Sequence, residues 1–283
     1  MRGFGVFFIV YTFAFFLHAK DLGNISIVSL SPLLSDLARQ VGGDRVDVVD
    51  LMELGADPHQ FQMTPGDLRK LKGAQLLLIS GRGLEGFHSH LQTEWDQGAM
   101  VFVASEVIPS DSSDPHWWHS VALVEEVVQG LRDTLTRLNP EHATDFRENA
   151  RNFMGKLEEL DRWIRLEVVR VPIKRRILVM PHDAMEYFAK AYGFRLLAVE
   201  GISPSDQPSS RKVQEVIHTI RENQIPVIFS ESRKNPRVMN EILDESGAKL
   251  GGTLYVDGLG VSEARDYVSM MRHNVTTIVE ALQ

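Results

Sequence analysis

Three histidines in this chain directly follow prolines: His59 in "ADPH" (residues 56–59), His116 in "SDPHWWH" (113–119) and His182 in "MPHD" (180–183). With 12 prolines and 10 histidines in 283 residues, composition alone gives roughly 0.4 such pairs. For any single pair, a turn histidine is the ordinary reading. Taken together with Asp257 in "YVDGLG", the three suggest imidazole and carboxylate ligands for a borderline divalent cation. Three His and one Asp complete a four-coordinate shell for Zn²⁺, and a bidentate Asp would suit Mn²⁺ or Fe²⁺. Proline fixes its own φ and biases the preceding residue toward extended geometry. Each histidine would therefore leave its element in a restrained direction, with the ordering entropy lost during folding.

Short apolar runs alternate with longer amphipathic ones, which predicts an α/β fold. Strand candidates are 25–30, 46–52, 74–80 and 100–105, and, after a break, 176–180, 195–200, 226–231 and 248–256. His59 follows the second candidate, His116 the fourth, His182 the fifth and Asp257 the last. All four lie beyond the carboxyl ends of predicted parallel strands, where open α/β sheets collect ligands. Thr64 as N-cap, Pro65 at the first helical position and Asp67 in the first turn mark one helix start. Between the two sets of strands, residues 141–171 contain no helix breaker except Gly155 until Pro172, and thirty helical residues span about 45 Å. The expected organisation is a signal peptide at 1–19, an N-terminal α/β lobe at 20–140, a linking helix at 141–171 and a C-terminal α/β lobe at 172–283. Each lobe is expected to hold a mostly parallel four-stranded sheet with flanking helices. One long rigid connecting helix permits only small lobe movements.

The opening "MRGFGVFFIVYTFAFFLHAK" places Arg2 before an apolar run that ends near Ala19, shorter than the ~20 residues that span a bilayer. It predicts export with cleavage near Ala19. The chain has no cysteine, hence no disulfide and no thiol for a lipid anchor, and a periplasmic protein that is not lipid-anchored is expected. A net charge of −8 argues against nucleic acid as a partner.

Two competing chemistries are visible. "GRGLEG" (81–86) follows a strand candidate, and Glu106 lies downstream at dinucleotide-fingerprint spacing. The pattern is loose, however, and falls on the third strand candidate rather than the first. A zinc-dependent hydrolase would use the same ligands with one coordination position left open for water. Glu231, ending "VIFSE", could then act as the general base if one ligand failed to bind; otherwise it reads equally as a carboxylate behind the ligands or in the cleft, or as an ordinary strand-end acid. Neither H-E-x-x-H nor G-x-S-x-G is present.

The stretches "ELGADPHQFQMTPGDLRKLKGAQLLLISGRGLEGF", "DPHWWHS", "MPHDAMEYFAKAYGF" and "IFSESRKNPRVMNEILDESGAKLGGTLYVDGLG" resemble, in order, motifs of the metal-specific substrate-binding proteins of zinc and manganese ABC importers. The resemblance covers essentially the whole chain after the export segment. It implies metal ligands at His59, His116, His182 and Asp257, a cleft between two lobes joined by one helix, and a monomer without enzymatic activity. It also implies delivery of a divalent metal ion to an ABC transporter membrane permease. Manganese-dedicated members often have Glu where His182 stands, and imidazole there favours Zn²⁺ over Mn²⁺ or Fe²⁺.

Some residues depart from the family pattern. The family often has "DPHxWLDP" where this chain has "DPHWWHS". His119 is therefore either an alternate ligand or, preferably, a histidine at the surface or behind the ligands. Gln207 stands where many relatives have Glu, and His88 and His90 in "FHSHL" are at most a remnant of a histidine-rich loop. Of Trp117 and Trp118, one is expected in the interlobe core and the other at the cleft entrance, or both in the core. Protonated imidazole cannot ligate, so loading should weaken below about pH 6.

Overall fold

A computed structural model describes residues 23–86, 99–202, 208–232 and 237–283. The signal segment, His88, His90 and Gln207 lie outside these residues. The first lobe is a parallel sheet of β1 (Ile25–Ser29), β2 (Val46–Asp50), β3 (Leu76–Ile79) and β4 (Met100–Val103), in the order β2-β1-β3-β4. β3, "LLLI", is buried along its whole length, as expected for an interior strand covered on both faces. β2, "VDVVD", alternates instead, in keeping with its place at the edge. Helix α1 (Pro32–Gly42) packs on this sheet, and α2 (Pro65–Leu71) starts with the expected cap. There the Thr64 side chain accepts from the Asp67 N–H while Asp67 accepts from Thr64 N, closing a capping box.

Helix α3 (Val121–Leu138) leads into α4 (Ala143–Val168), the linking helix. Its 26 residues extend about 39 Å at 1.5 Å per residue, and Gly155 lies inside it without interrupting it. Phe146, Ala150, Phe153, Leu157, Leu160, Ile164 and Val168 form its buried stripe at spacings of three and four. That stripe belongs to one continuous apolar core, which runs from Ile27 and Leu37 in the first lobe to Leu178, Phe229 and Val275 in the second. Sliding one lobe over the other would disrupt this close packing.

The second lobe contains β5 (Ile177–Met180), α5 (Glu186–Tyr192), β6 (Arg195–Ala198), α6 (Ser210–Glu222), β7 (Val227–Glu231), α7 (Arg237–Ser246), β8 (Lys249–Leu254) and α8 (Tyr267–Leu282). All eight expected strands are present. Here, though, they are hydrogen-bonded as two parallel pairs, β5-β6 and β7-β8, with β5 lying against β7. Gly251 is the extra residue where the β7-β8 register shifts; a Cβ there would sit 2.9 Å from the Phe229 ring. Only glycine lets the two strands approach at this bulge, and the resulting register sets where β8 releases Asp257.

Candidate metal centre

His59 lies in the turn between β2 and α2, His116 just before a single 3₁₀ turn (Trp117–His119), His182 just after β5 and Asp257 just after β8. Two residues come from each lobe, and the structure brings all four together. One donor atom from each lies within 4.8 Å of the other three. The Nε2 atoms of His59 and His116 are 3.2 Å apart. Asp257 Oδ1 lies 3.6 Å from His59 Nε2, 3.5 Å from His116 Nε2 and 3.2 Å from His182 Nε2. Ligand atoms around a tetrahedral ion at ~2.0–2.1 Å are about 3.3–3.4 Å apart, so these separations fit a four-coordinate cation.

The local sequence explains how each imidazole is aimed. In both D-P-H motifs the aspartate accepts the backbone N–H of the histidine two residues on: Asp57 Oδ1 from His59 N at 2.9 Å and Asp114 Oδ1 from His116 N at 2.9 Å. The intervening proline has no N–H to compete, so the turn closes on the histidine. His182 has Met180-Pro181 before it, and Glu231 at the end of β7 supplies the missing carboxylate, accepting from His182 N at 3.1 Å. Two of these three acids also orient the rings. Asp114 Oδ1 is 2.7 Å from His116 Nδ1, and Glu231 Oε1 and Oε2 are 2.7 and 2.8 Å from His182 Nδ1. Carboxylates only accept, so both Nδ1 atoms donate and both Nε2 atoms face the centre, the arrangement of carboxylate–histidine–metal triads. Glu231 is therefore a supporting carboxylate, and its nearly complete burial and its engagement with His182 leave it poorly suited to the work of a general base. Glu231→Gln is expected to lower metal affinity about 10–100-fold, measured by competition with a chromogenic chelator.

Charge follows the same geometry. Burial opposes ionisation of His182, but the nearby Asp257 carboxylate and the hydrogen-bonded Glu231 outweigh that and push its pKa up to about 10. In His116 burial is likewise overcome, by Asp114 and then Asp257, and the pKa is raised. Burial alone would raise Asp257; the imidazoles of His116, His182 and His59, with Nε2 atoms 3.2–3.6 Å from its Oδ1, hold it well below the usual carboxylate range. The neighbouring carboxylates thus favour the protonated forms of His116 and His182 beside an ionised Asp257.

His119 does not join the four donors. It is fully buried, burial lowers its pKa to about 4, and its Nε2 lies 2.8 Å from the Val256 carbonyl oxygen. Neither tryptophan lines an entrance. Trp117 is fully buried and donates to Ser80 Oγ at 3.0 Å, and Trp118, equally enclosed, donates to Val256 O at 2.9 Å while standing edge-on to the His116 ring. The glycine-rich turn at 81–86 is closed to phosphate. Its would-be cradle, the Ser80 and Gly81 amides, donates to the buried Glu85 carboxylate at 2.8 and 3.1 Å. Asp57 and Asp114 were the functional residues that sequence reasoning missed, although the repeated D-P-H was a usable signal.

Two parallel α/β units joined by one long helix, with a three-histidine, one-aspartate centre between them, define the metal-binding class of two-lobed solute-binding proteins. The chain belongs to the family described as zinc-uptake complex component A, periplasmic, whose model matches residues 27–281. It is 34% identical over 276 residues to the manganese-binding lipoprotein MntA of Bacillus subtilis, covering 92% of this chain and 90% of that protein. It is 31% identical over 267 residues to the iron-binding protein YfeA of Yersinia pestis, covering 91% and 86%. The structure of the periplasmic zinc-binding protein TroA of Treponema pallidum superposes with a TM-score of 0.87 at 30% identity, covering 92% of this chain and 99% of that one.

Proposed function

We propose that this protein captures one divalent transition-metal ion at His59, His116, His182 and Asp257 in the periplasm and delivers it to an ABC transporter membrane permease. Lobes at 20–140 and 172–283 would hold the ion, with 141–171 as the connector. The observation that carries this reading is the convergence of four donor atoms, two from each lobe, within 4.8 Å. The hydrated cation exchanges water for three imidazoles and a carboxylate, and no bond of a substrate is made or broken. Relatives are named for manganese, iron and zinc. Three neutral nitrogen donors and one oxygen donor favour Zn²⁺, with Mn²⁺ or Fe²⁺ as the alternatives.

The Bacillus relative is named a lipoprotein. This chain has no cysteine to acylate, and we propose that it is exported without a lipid anchor. Among the described residues no helix is long and apolar enough to cross a membrane.

Metal analysis of protein purified without chelator, followed by competition between Zn²⁺ and Mn²⁺, tests the function. One ion per chain is expected, with Zn²⁺ displacing Mn²⁺ at equal concentration. Steady turnover of an ester or phosphate substrate by the zinc-loaded protein would instead support the hydrolase.

A further inference from the structure

The short turn that follows ligand His116 also grips the backbone of the opposite lobe. Trp118 Nε1 and His119 Nε2 both approach the carbonyl oxygen of Val256, at 2.9 and 2.8 Å, and Val256 immediately precedes ligand Asp257. A carbonyl oxygen only accepts, so His119 is held as the tautomer with its proton on Nε2. Nδ1 is then a bare acceptor, and it is buried without a hydrogen-bond partner among the described residues. Tyr267 O–H, from the start of α8, donates to Trp118 O at 2.9 Å and holds the turn from the second lobe.

For packing alone, a histidine is a poor choice at position 119. An apolar side chain would fill the space without burying an unpartnered nitrogen, a burial that costs free energy. Nor is His119 needed to satisfy Val256, whose carbonyl oxygen already accepts from Trp118. What the second donor adds is direction: two hydrogen bonds to one oxygen restrict rotation of the peptide that carries Asp257. The linkage His116–Trp118–His119–Val256–Asp257 therefore ties one ligand of the first lobe to the only carboxylate ligand, which comes from the second.

We propose that His119 is a positioning residue, whose hydrogen bond to Val256 holds the Asp257 carboxylate in register with His116 and so slows release of the bound metal. This rests on the metal-capture reading above. It predicts an unusual pair of effects for His119→Leu. Removing the unpartnered nitrogen should leave the melting temperature of the metal-free protein unchanged or raised, while metal release becomes about tenfold faster, in line with the loss of one well-made hydrogen bond. His119→Gln, whose side-chain amide can donate from a similar reach, should restore release to within about threefold of the unsubstituted protein.

The test loads each full-length protein with Zn²⁺, confirms the number of ions bound, and follows release into excess chelator by stopped flow, with melting curves recorded without metal. Faster release in His119→Leu, recovered in His119→Gln, supports the inference. Unchanged release in His119→Leu overturns it, as does a lowered melting temperature with faster release that His119→Gln does not recover, because a packing role alone explains that result. If the unsubstituted protein holds no ion, the capture reading has failed, and that outcome is recognised before any variant is compared.

Discussion

Asp257→Ala is expected to weaken metal binding by at least about a hundredfold, more than loss of a supporting carboxylate costs. Asp257 is the only anionic residue among the four proposed ligands, and its side chain is 14% exposed, so solvent can do little to replace its charge. Its Oδ1 lies within 3.6 Å of the Nε2 atoms of all three histidines, and without it a dication would be surrounded by neutral imidazoles in a largely dry site. Asp257→Asn should recover only a small part of the affinity, because it restores an oxygen donor without the charge. Both values are obtained by chelator competition at fixed pH. Wild-type affinity in Asp257→Ala would mean that the carboxylate is not a ligand.

Metal uptake is expected to release at least one proton per ion at neutral pH. His182, with its pKa pushed up to about 10, carries a proton in the metal-free protein, and His116 is shifted the same way. His182 must give up that proton before its Nε2 can ligate. A group raised in the free protein is protonated over a wider pH range, so metal and proton compete up to the raised value. Affinity should therefore rise by at least about tenfold per pH unit between pH 6 and 8. The ordinary histidine range places the weakening of loading below about pH 6. The carboxylates of Asp257 and Glu231, which outweigh the opposing effect of burial, move the window upward. Calorimetric titration in buffers of different ionisation enthalpy counts the protons, and a pH-independent affinity across this range would contradict these charge states.

The parts of this site legible in the sequence were those written locally. Strand periodicity located all eight strands, and the Pro-His pairs marked three of the four residues that converge at strand ends. The capping box at Thr64 and Asp67 and the long linking helix were equally visible, because caps and helix breakers act over a few residues. The pairing of the second lobe into β5-β6 and β7-β8 was not legible, since hydrogen bonding between strands depends on packing that no local pattern records. Glu231 was legible only as one of two equal readings, a supporting carboxylate or an ordinary strand-end acid. It lies 49 residues from His182 in the chain, and only the placement of β5 beside β7 brings it to the imidazole. Asp114 was within reach: it precedes His116 by two residues, just as Asp57 precedes His59. In each turn the proline supplies the restraint and the acid before it closes the turn on the histidine. His119 shows the limit of motif comparison. Its departure from the family pattern was plain, but its partner, the Val256 carbonyl, is a backbone group 137 residues away with no side-chain signal.

In the proposed loaded state, three imidazoles and one carboxylate, drawn from both lobes, hold one cation. X-ray absorption at the metal edge of the zinc-loaded protein reads this shell directly. The expected spectrum has nitrogen and oxygen donors at about 2.0–2.1 Å and the multiple scattering of three imidazoles, falling to two in His182→Ala. A shell with no imidazole scattering, or one unchanged by His182→Ala, would show that the cation is held elsewhere.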